Sequence, residues 1–364
     1  MTSLPDTTHT ATTEPPSAEM RQVIVTSEHG ARVRRAPVPV PAPGEALVRM
    51  TAVGICGSDT HALHGRHPFI PLPYAPGHEV LGVVEEVADG VRRVSAGQRV
   101  IVEPTLPCWA CKQCLAGRVN LCENLRFFGC IYDQGGMADY FTIPADRLHV
   151  VPDQLEDRQA ILVEPLSTPV HAARLAGPLD GKAVVIIGAG TIGLLLLAIV
   201  LRHGARRVVV TDMLQDKRRR ALRLGAHAVI DAGGPDVSGA VREALGESAD
   251  VVFDCVANQY TVDQSVSLAL KGGTVVIVGV PTGRVSVPLP EIQDMQVRIQ
   301  GSATYLPEDY AEAMATLLAG QVRPDDIITA TFPLDRVGDA FAAATSGQHI
   351  KVILTSERMI TTRA

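Results

Sequence analysis

The chain has 364 residues, about twice the commonest domain size, so two domains are expected. With 46% hydrophobic residues and a net charge of −6, it is neither a disordered polar chain nor a basic surface for nucleic acid or anionic lipid. Seven cysteines, four of them between positions 108 and 122, do not form a secreted disulfide framework and read as metal ligands in a reducing compartment.

Residues 1–20 are rich in Thr, Ser, Pro and Ala, with no apolar run and no basic leader, which makes a poor signal or transit peptide. They are expected to be a disordered, dispensable tail, with order beginning near Arg21. From 22 to 151, short β-branched runs punctuated by Gly and Pro predict strands at 22–26, 45–55, 80–87 and 99–103. Around Gly181 the texture changes. Apolar runs at 184–187, 208–211, 251–253 and 275–278 alternate with helical stretches, the sequence form of a parallel, doubly wound sheet covered on both faces. The most apolar stretch, 191–201, is too short to span a bilayer, so a cytoplasmic protein without a membrane segment is expected. The basic run Lys217, Arg218, Arg219, Arg220 reads mainly as a solvated helix face, the alternative being that one member touches the cofactor. Helices at 310–318 and 337–344 and a strand at 351–354 complete the chain, and no internal repeat is present.

The strand at 184–187 runs into Gly188-Ala189-Gly190-Thr191-Ile192-Gly193 and then a helix. The first glycine permits the tight turn, the second lets a pyrophosphate approach the backbone, and the third lets helix and strand pack closely. The helix N-terminus then offers unpaired N–H groups to phosphate. Asp212 stands 19 residues beyond Gly193, at the end of the next apolar strand. A carboxylate there accepts from ribose hydroxyls and repels a 2′-phosphate, so NAD is expected over NADP.

Cys108, Cys111, Cys114 and Cys122 place four thiolates in one loop, the donor set of a closed, structural zinc. A second constellation is dispersed over Gly54-Ile55-Cys56-Gly57-Ser58-Asp59-Thr60-His61, Gly77-His78-Glu79 and Glu164-Pro165-Leu166-Ser167-Thr168. Singly, each piece has an ordinary explanation. Together they supply one sulfur, one nitrogen and two carboxylates, which suits a zinc that keeps a position open for water or substrate.

On these motifs, in this order and spacing, the chain resembles the medium-chain zinc-dependent alcohol dehydrogenases from about Arg21 to Leu354. The resemblance implies an α/β protein: a GroES-like, β-rich catalytic domain at 21–166 and 302–364, and a Rossmann NAD-binding domain at 167–301. It implies Cys56 and His78 as zinc ligands, with Glu79 an adjacent carboxylate that binds zinc in some members. Glu164 falls where many members carry a second cysteine, and a glutamate in the form EPLS is similar to the sorbitol and polyol dehydrogenases, with threonine dehydrogenases nearby. In that branch it binds zinc directly or through water. Asp59 would orient His78, Thr168 would contact the nicotinamide, and Val278 and Val280 would lie beneath its carboxamide. Gly57 departs from the pattern, standing where many members have a phosphate-binding arginine. The implied chemistry is hydride transfer between an alcohol and NAD, with a proton leaving through Ser58 and the cofactor ribose toward His61 and bulk water. Threonine or another amino alcohol is the alternative substrate, and a zinc- and NAD-binding sensor without turnover the alternative class. Phe127, Phe128 and Tyr305 are candidates for the substrate pocket, and a homodimer or homotetramer is implied by analogy.

Overall fold

The computed structural model describes residues 19–356. Order begins earlier than the sequence reading places it. Strand Glu19–Thr26 pairs antiparallel with Gly30–Pro37, and Met20 is only 4% exposed. The remainder of the expected tail, 1–18, lies outside the described residues.

Two large sheets organise the rest. The first has seven strands, in the order Ile328–Pro333, Lys351–Thr355, Glu45–Ile55, Glu79–Val87, Arg99–Val102 and Leu148–Val150, with Tyr140–Pro144 also pairing on Glu45–Ile55. The central strand Glu45–Ile55 alternates apolar residues over most of its length, so one face packs into a core containing Val48, Met50, Val53 and Phe141. Two strands come from the C-terminal end of the chain, and Val352 to Thr355 pair directly with Ile55 to Ala52. That pairing brings position 351 beside position 55.

The second sheet has six parallel strands, ordered Ala228–Asp231, Arg207–Asp212, Ala183–Ile187, Ala249–Asp254, Ala269–Ile277 and Arg298–Gly301. In chain order this is 3-2-1-4-5-6, the doubly wound arrangement of dinucleotide-binding domains. Ala183–Ile187 is buried at every position, as a central parallel strand covered on both faces must be. Each such Val or Ile contributes about 1.5–3 kcal/mol by leaving water. Helix Val163–Ala176 lies between the two sheets, and its Leu166 and Val170 share one core with Leu81, Ile101 and Leu194. Among the described residues, no helix is long and apolar enough to cross a membrane.

Candidate functional site

The four-cysteine loop closes on itself. The sulfurs of Cys108, Cys111, Cys114 and Cys122 lie within 4.8 Å of one another, and all seven cysteines are free thiols. Backbone N–H groups aim at the sulfurs: Cys108 and Asn124 donate to Cys122 at 3.2 and 3.3 Å, and Cys114 and Glu123 to Cys111 at 3.5 Å. The N–H groups of Ala110 and Cys111 bring the Cys108 thiol down to about 6. A loop that stabilises thiolates in this way fits a zinc ion, and four protein donors leave no coordination position for chemistry.

The dispersed cluster forms at the ends of two strands of the seven-stranded sheet. Cys56 follows strand Glu45–Ile55, and Glu79 opens strand Glu79–Val87 with His78 immediately before it. One ligand atom from each of Cys56, His78 and Glu79 falls within 4.8 Å of the others. Gly54 lets Glu79 lie against the strand, since a Cβ on it would stand 1.8 Å from Glu79 Oε2 and the carboxylate would have to shift. Glu79 is not free, however. The buried Lys351 ammonium donates to both its oxygens at 2.6 and 2.7 Å and to the Ile55 carbonyl at 3.1 Å. Burial pushes this lysine down, but attraction to Glu79 outweighs it and keeps the ammonium charged.

Glu164 approaches the cluster without joining its close set. It sits in the first turn of helix Val163–Ala176 and accepts a 2.5 Å hydrogen bond from the Tyr305 hydroxyl. Burial pushes its carboxyl up to about 7, against the pull of His78 and Lys351. Asp59 is buried beside the histidine: it accepts from the Cys56 N–H at 2.9 Å and the Tyr74 hydroxyl at 3.0 Å, and its charge is attracted to His78. Cys130 Sγ lies 3.4 Å from His78 Nδ1, Cys56 also bonds to the His78 side chain, and Phe127 meets the ring edge-on. Lys351 and Cys130 are the two site residues that sequence reasoning missed. A lysine heading an otherwise apolar strand was the available signal for the first.

A cleft of about 310 Å³ opens beside this cluster, at the point where the parallel strand order reverses. Ile55, Cys56, Gly57 and Thr60 line one side, and Gly188, Gly190, Thr191, Ile192, Gly193 and Asp212 the other. Gly188 has φ +95°, a Cβ on Gly193 would lie 1.8 Å from the Gly188 carbonyl, and one on Gly190 would meet nothing within 4 Å. The first and third glycines are thus demanded by the protein itself. The second leaves space for a ligand on the N-terminus of helix Thr191–Arg202. Asp212 accepts from the N–H groups of Ala189 and Leu214, both at 2.8 Å, which locks its carboxylate to the glycine turn.

The basic run is more than a solvated face. Lys217 lines the cleft, while Arg218 is spent on the carbonyls of Asp212 and Met213 and on Asp231. Ser58 Oγ is buried with no hydrogen-bond partner among the described residues, and His61 is exposed three residues further along the same short helix. Thr168, Val278 and Val280 stand outside the lining of this cleft, and Val278 is 9% exposed within the core. Of the aromatic pocket candidates, Phe128 is buried in the core, tilted against Phe141, while Phe127 meets His78 edge-on and Tyr305 donates to Glu164.

Comparison with known proteins agrees with this geometry. Residues 42–153 match the alcohol dehydrogenase GroES-like domain, and residues 191–319 match the zinc-binding dehydrogenase family. Sorbitol dehydrogenase of Ovis aries is 31% identical, over 93% of this chain and 97% of that protein. A zinc-binding dehydrogenase of Sinorhizobium meliloti, solved with NADP bound, superposes with a TM-score of 0.87 at 34% identity, covering 93% of this chain and 99% of that one. An alcohol dehydrogenase of Escherichia coli CFT073, solved with NADH, gives 0.86 at 26% identity, with the same two coverages of 93% and 99%. The chain belongs to the zinc-dependent medium-chain alcohol dehydrogenases. It is an oxidoreductase that moves hydride between an alcohol and NAD, with zinc as its metal.

Proposed function

We propose that the enzyme oxidises a secondary hydroxyl of a polyol or sugar alcohol and prefers NAD to NADP. One observation carries the reading: a single cleft exposes both Cys56, a member of the open metal cluster, and the glycine loop that cradles phosphate. Zinc held by Cys56 and His78, with Glu79 or Glu164 completing the set, would supply Lewis acidity to the substrate oxygen, and NAD a hydride acceptor. The chain's own residues would do the rest. The orphaned Ser58 hydroxyl would accept the substrate proton, and His61 at the exposed end of the helix would pass it to water. The likeness to sorbitol dehydrogenase supports a polyol. So do two further buried hydroxyls without protein partners, Ser302 and Thr304, in the segment that leads to Tyr305 and hence to Glu164.

A second copy of the chain fits the free edge of the six-stranded sheet, since Arg298–Gly301 pairs on one side only among the described residues. The seven free thiols suit a reducing cytoplasm.

The test combines substrate and cofactor. NAD reduction with sorbitol, xylitol, 2,3-butanediol, threonine and sugar acids should favour the polyols, and turnover on threonine alone would overturn the substrate reading. Relatives of this fold are found with both NADP and NADH, so cofactor choice must come from this chain's own residues, and the Asp212 carboxylate in the cleft lining supports a preference for NAD. Asp212→Ala should lower the NAD over NADP ratio of kcat/KM by about two to three decades, the repulsion of a carboxylate a few Å from a 2′-phosphate. Arg218 is engaged elsewhere, so Lys217 is the cation available to a 2′-phosphate in the variant. An unchanged ratio would remove Asp212 from this role.

A further inference from the structure

We propose that His349 binds the pyrophosphate of the dinucleotide from the wall of the cleft opposite the glycine turn. The inference rests on the reading that this cleft is where the cofactor lies.

The cleft needs a cation there and has few to offer. A pyrophosphate is doubly negative, and the N-terminus of helix Thr191–Arg202 answers it with about half a positive charge. Gly57, which also lines the cleft, has no side chain to contribute. Of the side chains in the lining, Lys217 and His349 alone are basic. Lys217 belongs to helix Gln215–Arg223, which follows Asp212, and so to the ribose end. His349 is the one beside the phosphate turn.

Its place follows from the sheet register and from hydrogen bonds on either side of it. Val352 pairs antiparallel with Ile55, so the chain before Val352 and the chain after Ile55 leave the sheet side by side. Residue 349 therefore emerges next to the turn that carries Gly57. Thr191, the first residue of the helix whose N-terminus meets phosphate, donates its hydroxyl to the Ile350 carbonyl at 2.6 Å. That bond fixes the backbone next to His349 against the glycine turn.

The ring itself is held by Thr329, whose Oγ1 lies 3.3 Å from Nδ1 and also accepts the Ile350 N–H at 3.0 Å. Nδ1 is thereby engaged within the protein, and Nε2 is the nitrogen left for a ligand. A hydroxyl can donate to Nδ1 or accept from it, so Nε2 can carry a proton in the neutral ring as well as in the imidazolium. Either form donates to a phosphate oxygen, the charged one more strongly. Half-buried and anchored at Nδ1, the side chain gives up little freedom when a ligand arrives.

The experiment titrates adenosine, ADP-ribose and NADH into the zinc-loaded full chain and into its His349→Ala variant, with melting temperature as the check on folding. Adenosine lacks the pyrophosphate, so its affinity should be the same in both. ADP-ribose and NADH should bind the variant about 10–100-fold more weakly, the usual worth of a hydrogen bond to a charged group. Position 57 offers the rescue, because a Cβ there would meet nothing within 4 Å. Gly57→Arg added to His349→Ala should restore most of the ADP-ribose affinity. An unchanged ADP-ribose affinity in His349→Ala overturns the proposal. So does an equal loss for adenosine, which would make His349 a shaper of the cleft, and so does a Gly57→Arg change that restores nothing. The wild-type chain separates this proposal from the reading beneath it. If it binds ADP-ribose no more tightly than adenosine, the cleft is not the dinucleotide site. If it binds ADP-ribose tightly and His349→Ala does the same, only the role of His349 fails.

Discussion

The two cysteine-bearing clusters solve the same problem of gathering metal ligands in opposite ways. The four-cysteine loop draws every donor from positions 108–122, and its backbone N–H groups satisfy the sulfurs locally. The catalytic cluster takes Cys56, His78 and Glu79 from the ends of two strands, with Glu164 approaching from a helix and Lys351 from the other end of the chain. A local cluster can complete itself and therefore closes. A dispersed one depends on the packing of both sheets, which leaves one side of it open to the cleft. Stability is the natural business of the first arrangement and chemistry that of the second.

Substitutions at the two clusters should divide accordingly. Cys56→Ala should leave a folded chain with one zinc instead of two and lower turnover about a thousandfold or more, since a metal supplies several kcal/mol to the transition state. Elemental analysis and steady-state kinetics check this together, and an active Cys56→Ala enzyme would collapse the distinction. Cys111→Ala should do the converse: a loss of several kcal/mol in stability, because binding of a structural zinc is folding free energy, with kcat per folded molecule retained. Denaturation curves and active-site titration read the two effects separately. If Cys111→Ala instead removes turnover from molecules that remain folded, the loop is part of the chemistry.

Lys351→Met sharpens the comparison, because the four-cysteine loop has no such buried counter-charge to lose. It strands the Glu79 carboxylate without its partner, and a loss of about 3–5 kcal/mol is expected in urea denaturation. Glu79→Gln with Lys351→Met should be more stable than Lys351→Met alone, and equal stability would show that the ion pair is not what holds Glu79.

What was legible in the sequence follows the same division. The cysteine loop and the glycine turn are short-range patterns, and both stand where spacing placed them. The strand expected at 45–55 is observed as Glu45–Ile55. Strand Gly30–Pro37 was missed, since its apolar alternation is confined to Ala31 and Val33 among Arg32, Arg34 and Arg35, and it pairs only with Glu19–Thr26 among the described residues. Lys351 and Cys130 were missed because their meaning depends on what they touch, 272 residues from Glu79 in one case and 52 from His78 in the other. Asp59 lies between the two cases: the tight turn after Cys56 engages its carboxylate, which also faces the charge of His78.

The close approach at Gly54 also limits how this site can evolve. A Cβ there would stand 1.8 Å from Glu79 Oε2, so the carboxylate could not stay where Lys351 holds it. A replacement at 54 therefore requires the Glu79 carboxylate to shift against the hold of Lys351. Positions 54, 79 and 351 are coupled in this way: a side chain at 54 needs the Glu79 carboxylate to move, and Lys351 is the group that holds it.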